Sequence, residues 1–226
     1  MKTSLPAVLS AIMLTACTMA PIYKPPERMD AYKQLYEENP TTILVLPPVN
    51  LTDDQSATHE FYTTLFSPLI NAGYYVIPPL ATLQILQQED LHNADLSEIA
   101  TLLGEIFGAD LILYTSIHQW EKWFEPDTGE ITVEAEYTIF SGKTGRMLFF
   151  RHTRGNCFLT SNVEGSWLLA FAASTIRTAS ISIDKIAGLC SESTFFDLPL
   201  GPYSPKHKTD QHLVSGPEYM FLKWGE

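Results

Sequence analysis

The chain has 226 residues, 45% of them apolar, which suits one domain with a substantial core. It sets 14 Lys and Arg against 26 Asp and Glu, a formal net charge of −12. That balance excludes a general nucleic-acid binder, which needs clustered cations against phosphate, and it gives the chain as a whole no electrostatic grip on anionic lipid.

The chain opens MKTSLPAVLSAIMLTAC. Lys2 gives a positive start, Leu5 to Leu14 is an apolar stretch, and small Thr15 and Ala16 precede Cys17. This is the order of a secretory signal. Ten helical residues cover about 15 Å, half of a ~30 Å hydrocarbon core, so the stretch is too short to span a bilayer. Residues 1–16 are read as a signal peptide, and Leu14-Thr15-Ala16-Cys17 resembles the bacterial lipobox. The resemblance implies diacylation of Cys17, cleavage before it, and acylation of the new amine. The other reading is an ordinary signal with an incidental cysteine. Two or more acyl chains anchor a protein stably where one does not. These chains are the only addition expected on the protein; no cofactor and no metal are expected. Thr18 stands where enterobacterial lipoproteins retained in the inner membrane carry Asp, so the same analogy implies an outer-membrane anchor, with the domain facing the periplasm. Loss of Lys2 leaves a mature chain of 210 residues at net −13.

Residues 17–40 contain Pro21, Pro25, Pro26 and Pro40 and read as a lipidated tether, with a short helix over Ala31–Glu38. Residues 41–190 are assigned to the globular domain. Ile43–Leu46 is a continuous apolar run ended by two prolines, as in a strand buried on both faces. Phe61, Leu65, Phe66, Leu69 and Ile70 predict a helix over 58–72, kinked or shortened by Pro68 and stopped by Gly73. Tyr74–Ile77 predicts a strand and Ala81–Gln88 a short helix. Asp95–Gly108 predicts a capped helix with Ile99, Leu102, Leu103, Ile106 and Phe107 on one stripe. Leu111–Ile117 is the next strand. This alternation predicts a parallel sheet in the first half. Ile131–Phe140 alternates apolar and polar residues, Ser141–Gly145 turns, and Met147–Phe150 returns as a hairpin. A further strand is expected near Cys157–Leu159, and one long small-residue helix over Trp167–Leu189. Residues 191–226, with four prolines, are expected to be an irregular tail packed on the domain. The fold class is therefore α/β (α+β): one three-layer domain, a mixed sheet of about five strands covered by helices.

The search for chemistry is mostly negative. Gly142-Lys143-Thr144 ends like a phosphate loop, but Tyr137 stands where that loop needs glycine. The histidines His59, His92, His118, His152, His207 and His212 form no zinc motif. No nucleophile elbow is present, and Glu134 and Glu136 share a strand face rather than oppose each other. Cys157 and Cys190 are either a periplasmic disulfide or two buried thiols. Trp120, Trp123 and Phe124 precede a Pro-Asp-Thr-Gly turn and are either an exposed protein-binding patch or aromatics sealing the core.

TILVLPPVN, NAGYYVIPP, FGADLILYTSIHQW and TIFSGKTGRMLF, in that order after a lipobox, resemble a family of bacterial lipoproteins of unknown function. Leu200-Gly201-Pro202-Tyr203-Ser204-Pro205 fits the same family. The resemblance runs from Cys17 to about Pro205. It implies a fold similar to the N-terminal domain of TolB, to the periplasmic domain of the curli-secretion lipoprotein and to the lipoprotein activators of peptidoglycan synthases. It carries no catalytic residues. The function implied is a non-enzymatic lipoprotein of the outer membrane acting by protein–protein contact, an accessory of a curli-like export or envelope-assembly system. Its expected partners are the membrane, through the anchor, and an envelope protein such as a curli-secretion-like lipoprotein. A second copy is a further candidate, through the small-residue helix and the aromatic patch. The alternatives are a periplasmic regulator of a peptidoglycan synthase and a hydrolase with a dispersed active site.

Overall fold

A computed structural model describes residues 25–79, 96–125, 128–160 and 181–225. Two short helices open it, α1 (Arg28–Ala31) and α2 (Lys33–Glu38), followed by strands β1 (Thr42–Val45) and β2 (Val49–Asn50). Helices α3 (Ala57–Thr64) and α4 (Phe66–Asn71) lead to β3 (Tyr75–Val76), and α5 (Leu96–Phe107) leads to β4 (Leu111–Phe124). Strands β5 (Thr128–Ser141) and β6 (Met147–Thr160), helix α6 (Ile183–Phe195) and strand β7 (Tyr219–Trp224) complete the order.

All seven strands form one mixed sheet in the order β3-β1-β4-β5-β6-β7, with β2 also on β4. The first half is parallel as the alternation predicts: β1 pairs with β3 and β4, and β2 with β4. The antiparallel half is longer than predicted. Strands β4, β5 and β6 each run 14 residues, and the two short strands expected at Met147–Phe150 and Cys157–Leu159 are one. Each extended strand supplies the ladder partner for the next, which fixes backbone that polar side chains alone would leave open.

The predicted helix over 58–72 is broken at Leu65. Pro68 offers no N–H to the carbonyl of Thr64 and its ring crowds that carbonyl, so the chain restarts as α4. Gly73 then stops it at φ +91°, a left-handed conformation that favours glycine. The long helix expected over Trp167–Leu189 is corrected at both ends. Ser182 has extended backbone, so α6 begins at Ile183, and it continues to Phe195. Positions 167–180, the Ala81–Gln88 helix, the Asp95 cap and the signal peptide with Cys17 lie outside the described residues.

Helices α3, α4 and α6 pack on one face of the sheet around Phe61, Leu65, Leu69, Tyr137, Ile139, Ala187 and Cys190. Helix α5 covers part of the other face with Ile99, Ala100 and Leu103 against Leu44 and Ile112. The layering is helix, sheet, helix. Two boundaries differ from expectation. Tyr32, Leu35 and Tyr36 are buried in the main core, so the folded body reaches back well into the proline-rich segment assigned to the tether. The tail is not irregular throughout: β7 pairs parallel with β6 from His152↔Tyr219 to Cys157↔Trp224.

Candidate functional site

The first site lies where the described chain begins, at residues 26–32. Glu27 pairs with Val214, and Pro26 O accepts from Ser215 N at 2.9 Å and from Ser215 Oγ at 3.1 Å. Arg28, on the first turn of α1, is buried. Its Nε lies 3.2 Å from Asp197 Oδ1, its NH1 lies 3.4 Å from Asp210 Oδ2, and its NH2 donates to Phe196 O at 2.9 Å. Arg151 of β6 reaches the other oxygen of Asp197, and the Tyr32 hydroxyl donates to the same oxygen. Arg151 NH1 also donates to Phe150 O at 2.7 Å. Burial, reinforced by the bond to Asp197, pushes the Tyr32 hydroxyl well above its ordinary value and keeps it a donor. Two buried arginines and two buried aspartates thus bind three distant chain segments at the start of the described chain.

A second polar region lies on the α5 face of the sheet, farther along the strands. His152 Nε2 is 2.7 Å from Glu134 and its Nδ1 is 3.2 Å from Glu136. His118 Nε2 lies 3.4 Å from Glu136, and Arg154 reaches Glu134 at 3.2 Å. Burial pushes the Glu136 carboxyl up, but the two histidines outweigh it and hold the group below its usual range. Glu134 and Glu136 do share one strand face, as read from sequence; Glu136 has partners on both neighbouring strands and Glu134 has two on β6. Sequence reasoning did not find His152; its signal was the alternation of polar residues at 152, 154 and 156 opposite Glu136, Glu134 and Thr132.

This cluster contains Ser116, whose Oγ is 3.2 Å from His118 Nε2. It is not a hydrolase triad. The serine and Glu136 address the same ring nitrogen, whereas a triad base takes its acid and its nucleophile on opposite nitrogens. Among the described residues no group of three or more His, Cys, Asp or Glu is arranged to hold a metal ion, and no helix is long and apolar enough to cross a membrane.

The aromatic group predicted from sequence is divided. Trp120 is only 5% exposed and packs edge-on against Phe61 at 6.2 Å. It is a core residue, because its position opposite Val133 turns it toward α3. Trp123 and Phe124 are 44% and 58% exposed. They are adjacent on a strand and so point to opposite faces. The three residues do not make one patch. Trp120 and Trp123 nevertheless line one cleft, with Asp54, Glu60, Lys122 and Ile183, beside the β4 edge beyond β2.

Cys157 and Cys190 are both buried free thiols, so of the two readings the structure has the unbridged one. Burial raises the Cys157 thiol and pushes Cys190 up to about 12. The Gly142-Lys143-Thr144 turn binds no loop of its own: Lys143 Nζ pairs with Asp110 Oδ1 at 2.9 Å. The other Asp110 oxygen takes the N–H groups of Thr41 and Thr42 at 2.9 and 3.2 Å. Asp110 thereby joins three of the segments that carried the family resemblance, TILVLPPVN, FGADLILYTSIHQW and TIFSGKTGRMLF. A fourth, Leu200–Ser204, docks on the Gly73 turn, with Gly201 N donating to Ala72 O at 2.8 Å and Tyr74 OH to Pro199 O at 2.6 Å.

These features define a mixed α/β domain with built polar clusters and clefts, packed on the segment that leads toward Cys17. Residues 30–191 match the family model described as "Putative lipoprotein GNA1162-like", and the chain belongs to that family of membrane-anchored envelope lipoproteins. It is 26% identical over 220 residues to the "Putative lipoprotein NMB1124/NMB1162" of Neisseria meningitidis serogroup B, covering 95% of this chain and 97% of that one. The crystal structure of lipoprotein GNA1162 from Neisseria meningitidis is similar at 27% identity and a TM-score of 0.45, over 62% of this chain and 97% of that one. The LpoB C-terminal domain from Salmonella enterica gives 17% identity and a TM-score of 0.37, over 56% of this chain and 96% of that one.

Proposed function

We propose that the protein is a lipoprotein anchored through acylated Cys17 in the outer membrane, facing the periplasm and acting by protein–protein contact in envelope assembly or curli-like export. One observation carries this reading: the chain is pinned at Pro26, and nine residue steps separate that point from Cys17. At 3.3–3.6 Å per residue those steps reach roughly 30 Å at most. The domain works close to the bilayer that holds it, so its partner must come to the same membrane. This favours a component of the outer-membrane machinery over a synthase resident in the opposite membrane. The Ser116–His118–Glu136 cluster offers no relay through the imidazole, so a hydrolase of the alternative reading would need another site.

Replacing Cys17 with Ala tests the anchor: the variant should leave the membrane fraction, and continued co-sedimentation with outer membranes would sink the proposal. Capture of partners from solubilised envelope by the lipidated protein tests the rest. A secretion or assembly component supports the reading, and a peptidoglycan synthase replaces it with the regulator alternative.

A further inference from the structure

We propose that the surface around Pro26 is a membrane-docking face, seated on the same bilayer that holds the Cys17 acyl chains. The proposal rests on the anchored reading above. Met29, Phe196, Leu213 and Val214 are all exposed, Phe196 at 79%. They come from three segments far apart in sequence, yet the backbone gathers them. Met29 N donates to Gln211 O and Arg28 N to Leu213 O, while Glu27 pairs with Val214. The Arg28 guanidinium lies 5.8 Å from the centre of the Phe196 ring. Phe196 and Leu213 share a cleft of about 400 Å³ with Pro68, Leu200 and Lys206. Exposed apolar side chains gathered in this way mark a contact surface rather than ordinary scatter.

Two observations select the bilayer as occupant. The first is where the described chain ends. Pro26 is held by Ser215, next to Val214, so among the described residues the pinned point nearest Cys17 in sequence lies inside the patch. A tether of roughly 30 Å or less keeps that patch, of all faces, nearest the lipid. The second is local charge. Asp210 is buried against Arg28, which leaves Lys206 and Lys208 as the exposed charges of the 203–213 loop in a chain of net −13 when mature. Exposed Glu27, Asp30 and Glu192 lie close by. The apolar side chains therefore lead the contact and the lysines set its position. Apolar residues flanked by lysines, whose stems lie along the interface while their heads reach phosphate, suit a headgroup layer.

The test uses the full lipidated protein in vesicles of phosphatidylethanolamine and phosphatidylglycerol containing a shallow doxyl-labelled lipid. An environment-sensitive fluorophore is placed by Leu213→Cys, or by Phe124→Cys at the far end of the long strands; Cys157 and Cys190 are buried and escape labelling. The label at 213 should be quenched and that at 124 should not. Lys206→Glu with Lys208→Glu should lose part of the quenching at 213. Vesicle-bound protein with equally weak quenching at both sites overturns the docking face while leaving the anchor intact. Protein that does not float with the vesicles defeats the anchor reading, and the docking face falls with it.

Discussion

The buried cluster that joins Arg28 to Arg151, Asp197 and Asp210 makes a sharp demand on stability. Asp197 is the acceptor shared by Arg28, Arg151 and Tyr32, and it is almost fully buried. Asp197→Ala leaves Arg151 with the neutral Tyr32 hydroxyl and backbone carbonyls but no carboxylate, and leaves Arg28 with Asp210 at 3.4 Å as its one remaining carboxylate beside the Phe196 carbonyl. Removing one partner of a buried ion pair costs about 3–5 kcal/mol, because the charge left behind remains desolvated. Domains of this size are stable by about 5–15 kcal/mol, so the loss is a large fraction of the total. With a urea m-value of about 2 kcal/mol/M, the unfolding midpoint should fall by roughly 2 M. The neighbouring Phe196→Ala, at an exposed side chain, should change stability by less than about 0.5 kcal/mol. Urea titrations followed by tryptophan fluorescence read both. A midpoint shift below about 0.5 M for Asp197→Ala, or equal shifts for the two variants, would refute the account of the cluster as a buried charge network.

Asp110 should contribute to acid sensitivity. Burial opposes its ionisation, but bonds from Lys143, Thr41 and Thr42 hold its carboxyl well below the usual carboxylate range. Its stabilisation is therefore complete above about pH 4, the ordinary unfolded value, and is lost as pH falls through the depressed folded one. Asp110→Asn should lower stability at pH 7 and flatten the decline below pH 4, measured by thermal melts across pH. Gly155→Ala should destabilise by about 1–3 kcal/mol, since a Cβ there would lie 2.4 Å from Cys190 Sγ and 2.7 Å from the Trp224 ring; an unchanged melting temperature would contradict that packing. Cys157 and Cys190, with burial raising both thiols, should resist an aromatic disulfide reagent at pH 8 and react fully in denaturant.

Local patterns in the chain were sufficient for several elements and insufficient for the site. Pro68 and Gly73 set their helix break and stop through φ limits and a missing N–H, which act within a few residues. The parallel first half followed from the alternation of apolar runs with the amphipathic Leu96–Phe107 helix. The start of α6 at Ile183 was not legible, because the small-residue run before it fits a helix equally well. Trp120 was readable as aromatic but not as core: its neighbour across the ladder, Val133, was needed to say which face it occupies.

Sequence alone determined the apolar signal, the cysteine that follows it, the acidic balance and the order of family segments, all properties carried by adjacent residues. Tertiary structure decided what Arg28, Arg151, Asp197 and Asp210 do, since separations of up to 182 positions hide any pairing from a linear reading. It also showed that Glu134 and Glu136, on their shared strand face, pair with His152 and His118. The expectation that Cys17 is lipidated rests on the first seventeen residues alone. That the chain is pinned at Pro26, beside Leu213 and Val214, required the fold, because only long-range hydrogen bonds bring residues 26–29 and 211–215 to one surface.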